Sequence, residues 1–156
     1  MSEAVARRAA AWPFVAVGAA CIVAGGLVAA VTAPAPSEHG TWAAAYLVLV
    51  AGVAQVVLGV GQALLAPRPP AQRMVAAQVI AWNISNAAVL AGTVAGDTAF
   101  VDAGGVLLVV VLVLMLRGAR GGGATPRWLL AAFRLLAVVL LVSIPVGLVL
   151  ARTRSG

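Results

Sequence analysis

Apolar residues run through this chain in five long blocks separated by short stretches rich in proline, glycine and arginine. The first block, about 12–32, ends at Ala33-Pro34-Ala35-Pro36, where prolines lacking an N–H cannot extend a helix. The second, about 41–66, stops at Pro67, and Ser37 with Glu38 offers an N-cap and an acid in the first turn for an earlier start. The third, about 74–95, follows the breaker Pro67-Arg68-Pro69-Pro70. The fourth, about 99–116, is the shortest and holds Asp102 near its start. The fifth, about 126–151, opens with Thr125 as N-cap and Pro126 at the first helical position. Each block can cross about 30 Å of hydrocarbon at about 1.5 Å per residue. The pattern predicts an all-α integral membrane bundle of about five transmembrane helices forming a single domain over residues 1–156.

Charge sets the expected orientation. All ten basic residues are arginine, and seven of them (Arg7, Arg8, Arg68, Arg73, Arg117, Arg120 and Arg127) fall on one side of a five-span chain. The alternate loops carry Glu38, Asp97 and Asp102 instead, which places the amino end in the cytoplasm and the carboxyl end outside. Arg152 and Arg154 in the tail run against this rule; removing the fourth span would expose Arg117, Arg120 and Arg127 and violate it further. A multi-pass protein of the bacterial inner membrane is the expected location. Because the arginines flank spans and are not gathered on one face, the net charge of +6 implies no nucleic-acid partner. The apolar run from Ala9 to Ala33 is too long for a signal-peptide core and is expected to remain as a helix. Hydrophobic residues make up 63% of the chain and mean hydropathy is +1.11, which excludes an ordinary soluble domain.

Polar residues inside the blocks are few. Gln55 and Gln62 alternate with Gly52 and Gly59 along one stripe of the second helix. Gln78, Ser85 and Asn86 share a broad face of the third helix, with Asn83 beside it. If these two helices are antiparallel neighbours, their amides form a mid-membrane cluster, either as a polar site or as interhelical glue. Gly18 and Gly25 make a packing face on the first helix, available within the bundle or to another copy. The remaining ionisable candidates, His39, Asp102 and Arg134, lie toward helix edges; Arg134, about 10 Å into the fifth helix, can snorkel its guanidinium to the surface or face an anion in the bundle. Cys21 is the lone cysteine and reads as a buried, inert thiol. Ser143 and Pro145 are expected to kink the fifth helix.

Neither a metal-ligand set, nor paired carboxylates, nor a phosphate-cradling loop, nor an activated nucleophile occurs, so the chain reads as non-enzymatic and without a cofactor. Arginine without lysine, together with abundant Ala, Val and Gly, resembles the small multi-span membrane proteins of actinobacteria in composition and size. His39-Gly40 ahead of a long helix is similar to the start of the second helix in haem-copper oxidase catalytic subunits. That resemblance, covering the first two spans, implies His39 as a haem ligand, although the chain has no second histidine. Two functions stay open: a bundle subunit that assembles with itself or another membrane protein in the lipid bilayer, and a small transporter, channel or haem-holding bundle built on the amides.

Overall fold

The computed structural model describes residues 2–119 and 127–154, with side chains described as far as residue 143. Five helices follow in order: α1 (Glu3–Thr32), α2 (Glu38–Leu65), α3 (Gln72–Ala95), α4 (Thr98–Gly118) and α5 (Arg127–Arg154). Among the described residues, α1 to α4 are each long and apolar enough to cross a membrane. Thr125, Pro126 and Arg120 lie outside the described residues, as do the side chains of Pro145, Arg152 and Arg154.

Local chemistry explains where the helices begin and end. α1 starts nine residues before the apolar block because Ser2 caps it, accepting from the Val5 N–H at 3.4 Å, and Glu3 pairs with Arg7 one turn on at 2.7 Å. Hydropathy marks only the apolar part of such a helix. Ser37 caps α2 through the Gly40 N–H at 3.1 Å, which gives the earlier of the two expected starts. α3 and α4 are joined by a two-residue turn. Gly96 adopts φ 69°, and the Asp97 N–H reaches back to the Gly92 carbonyl at 2.8 Å, closing a Schellman motif. Asp97 then caps α4, its carboxylate accepting from Ala99 and Phe100.

The bundle is built from two antiparallel pairs. α1 packs along α2, α3 packs along α4, and α5 lies against α4 and the end of α2. The expected side-by-side pairing of α2 with α3 gives way to this arrangement: the six-residue link Ala66–Ala71 leads α3 away, and α2 spends its glycine face on α1. A Cβ on Gly52 would stand 3.0 Å from the Gly18 carbonyl oxygen, and one on Gly18 would stand 3.0 Å from that of Gly52. Gly25 lies equally close to the Ala44 carbonyl, at 2.9 Å, and Gly59 is covered by the Phe14 ring. The glycines noted in the sequence are therefore consumed within one protomer, so their faces are not free to bind a second copy.

A π-helical segment, Leu47–Ala54, interrupts α2 at this seam. Its wider turn has small residues on the buried side (Ala51, Gly52 and Ala54), and it lies against α1. Hydrophobic periodicity over eight residues does not separate α from π geometry, so this segment has no signature in the sequence.

At the far end of the seam Arg7 reaches the terminus of α2. Its Nη1 donates to the carbonyls of Ala63 at 2.7 Å, Ala66 at 3.0 Å and Leu64 at 3.2 Å. These are helix-terminal carbonyls with few intrahelical partners, and a cation there also meets the negative end of the helix dipole.

Outside the seam, Gly26 has nothing within 4 Å of a Cβ position. Gly59→Leu should lower stability by about 1–3 kcal/mol through overpacking, while Gly26→Ala should leave it unchanged or slightly raised. Denaturant unfolding of both variants in lipid bicelles checks this, and equal losses in the two would remove the seam as a determinant of the fold.

Candidate functional site

The polar side chains occur in two groups. The first is a junction where three helices meet. Asn83 on α3 donates through Nδ2 to the Gln55 side-chain oxygen on α2 at 3.1 Å and to its own Val79 carbonyl at 2.8 Å. The Cys21 thiol on α1 lies 3.5 Å from Asn83 Oδ1 and donates to it. Gln55 is completely buried, and Trp82, also completely buried, fills the adjoining interior.

The other polar residues of α3 turn back onto their own helix. Ser85 Oγ donates to the Ala81 carbonyl and Asn86 Nδ2 to that of Trp82, each four residues back. Of the expected amide cluster, the structure thus brings together Gln55 and Asn83 directly, with Ser85 and Asn86 buried beside them. Three buried polar atoms of this group have no partner among the described residues: Gln55 Nε2, Trp82 Nε1 and Asn86 Oδ1.

Gln62 and Gln78 lie elsewhere. They line an open cleft of about 650 Å³ at the arginine-bearing end, together with Pro67, Arg68, Met74, Leu114 and Arg117. Each glutamine is 3% exposed and leaves its Oε1 unpartnered. Gly118 allows Gln62 to lie beside it, since a Cβ there would stand 2.9 Å from Gln62 Nε2. Hydrophobic periodicity groups these glutamines with Gln55 and Asn83 by face, and residue spacing sets them about 10 Å or less apart along their helices, but the period does not show that the end of α4 covers them.

The ionisable candidates are dispersed. His39 is exposed in the first turn of α2, roughly 35 Å along that helix from Gln62. Asp102 is half-buried near the start of α4, and Arg134 is exposed on α5. Among the described residues no three of His, Cys, Asp and Glu come together as a metal site. His39, the residue that the haem resemblance singles out, has its side chain exposed next to the α1–α2 turn. Two features escaped the sequence reading. Cys21, expected to be inert packing, is half-buried and bonded to Asn83, and Arg7, counted only for orientation, caps α2. The seven-residue separation of Gly18 and Gly25, with Cys21 one turn past Gly18, is the signal that could have placed Cys21 near the seam.

Comparison with family models, curated proteins and solved structures finds no match to this chain.

If Asn83 and Gln55 act as a bonded pair, Asn83→Leu should cost more than the pair is worth, because it leaves the buried Gln55 amide with neither end satisfied. A double-mutant cycle with Gln55→Leu, read by unfolding in bicelles, should give a coupling of about 0.6 kcal/mol, the usual size for such bonds between membrane helices. Strict additivity of the two changes would show that the amides do not hold each other.

Proposed function

We propose that the chain is a non-enzymatic integral membrane protein of the bacterial inner membrane. It crosses the bilayer five times with its amino end inside and serves as a helical-bundle subunit that assembles with itself or with another membrane protein. The observation that carries the membrane reading is an apolar outer surface around a core that also encloses polar side chains. Gln55, Gln62, Gln78, Ser85 and Asn86 are buried, while Val23, Leu27, Leu49, Ile80, Ile84, Val106 and Val139 face outward. Water would disfavour so many large apolar side chains on the outside. Exposed Trp12 and Trp128 flank the arginine-bearing end, and Trp42 stacks on Tyr46 at 5.1 Å near the other end, consistent with aromatic belts at two interfaces. At 28 residues, α5 has the length for a fifth span.

Assembly is supported by what the outer surface retains once the glycine seam is closed. On α5, Phe133 and Ala137 are buried against the bundle, whereas Arg134 is exposed on a flank with Leu135, Val138 and Val142. A guanidinium on such a face either snorkels to the interface or meets an acceptor on a neighbour. The transport reading has less support, because Gln55 and Asn83 bond to each other and the cleft lies at the arginine-bearing end.

Native mass spectrometry from lipid nanodiscs should find more than one copy, or a copurifying membrane protein. Arg134→Leu should weaken that association by on the order of tenfold, the loss of one charge-assisted contact, and Arg134→Lys should retain most of it. A solitary wild-type monomer would contradict the assembly reading. In a Cys21→Ser background, Ser2→Cys and Ser155→Cys should label from opposite sides of the membrane; labelling from one side would contradict five spans.

A further inference from the structure

The cleft between the α2–α3 link and the end of α4 has a composition that the assembly reading leaves unused. Arg68 and Arg117 are both exposed at its edge and supply two permanent cations. Gln62 and Gln78, more than nine-tenths buried, line it with one unpartnered amide oxygen each. Met74, Leu114 and Ala66 contribute apolar wall, and Pro67 and Pro70 stiffen one side. Its volume of about 650 Å³ is within the range of small-ligand sites.

Each part selects a different piece of a ligand. Two arginines call for an anion, and a phosphate matches their donor geometry. An amide group has one donor and one acceptor end, and a half-turn about its broad terminal torsion exchanges them. A hydroxyl can satisfy either end, since it both donates and accepts. The apolar wall suits the hydrocarbon that adjoins a lipid headgroup. Chloride or inorganic phosphate would leave the amides and the wall unused.

We propose that this cleft binds a phosphate ester bearing free hydroxyl groups, with the phosphate between Arg68 and Arg117 and the hydroxyls on Gln62 and Gln78. The source is the headgroup of an anionic phospholipid of the phosphatidylglycerol kind. The lipid assignment rests on the membrane reading above, through the cleft's place at the arginine-bearing end, where anionic headgroups gather on basic pockets between helices.

The full-length protein is reconstituted in vesicles, and flotation first establishes insertion; a protein that fails to float removes the membrane reading itself. Retained lipid is then measured by native mass spectrometry from mixed nanodiscs of phosphatidylglycerol, phosphatidic acid and phosphatidylcholine. Phosphatidylglycerol should be retained over phosphatidylcholine. Arg68→Gln with Arg117→Gln, both at exposed positions, should reduce that retention by on the order of thirtyfold, the loss of two charged contacts. Gln62→Leu with Gln78→Leu should abolish the preference for phosphatidylglycerol over phosphatidic acid, which has no headgroup hydroxyl. In lipid-free detergent, glycerol phosphate should bind far more weakly than the lipid; equal affinity would assign the cleft to a soluble ester and overturn the lipid source. Inserted wild-type protein that retains all three lipids alike, or an arginine double variant that retains phosphatidylglycerol as wild type does, overturns the site.

Discussion

The close crossing of α1 and α2 is the constraint from which the other contacts follow. Backbone carbonyls at Gly18, Gly52 and Ala44 lie where a side chain on the facing helix would stand, so the two helices approach as near as their backbones allow. In a bilayer, where lipid tails are as apolar as leucine, dispersion contact of this kind is a principal source of helix association. The π-helical turn at Leu47–Ala54 belongs to the same device, because it presents its small residues along the seam. Once the seam is closed, Cys21 and Gln55 stand within reach of one residue of α3, Asn83, and Arg7 stands over the carbonyl terminus of α2.

The core is apolar with a few buried polar side chains set where the helices meet, and the outward faces are apolar as well. The least apolar helix, α3, is accommodated by turning its hydroxyl and amide groups onto its own backbone, as Ser85, Asn86 and Thr93 do. Such bonds add little rigidity between helices, yet they lower the cost of burying these groups. Among the described residues, the bond from Asn83 to Gln55 is the direct amide–amide link between α3 and α2. Gln62 and Gln78 take neither solution, and they are the ones that line the cleft.

Much of the architecture was legible in the chain. Apolar blocks located the helices, prolines at 34, 36 and 67 marked their ends, and Ser37 and Asp97 stood where caps are needed. What the sequence did not reveal is which helices pair. The stripe of Gly52, Gln55, Gly59 and Gln62 has one period but faces several neighbours in turn: α1 at the glycines, α3 at Gln55, and the end of α4 at Gln62. Period alone says that residues share a face, and only packing says what covers it. For the same reason a single amide cluster was expected where there are two groups, and Arg7 was counted for its charge before its hydrogen bonds to α2 were evident.

The contact between Gly18 and Gly52 is the most direct point at which to test the seam. Solid-state NMR of the unmodified protein in lipid, with the Gly18 carbonyl carbon and the Gly52 Cα labelled, reads that approach without any substitution. With a Gly52 Cβ position 3.0 Å from the Gly18 oxygen, the two labelled carbons should give a strong through-space cross-peak. Its absence, in a sample whose backbone shifts show α1 and α2 intact, would contradict the close crossing and the contacts that depend on it.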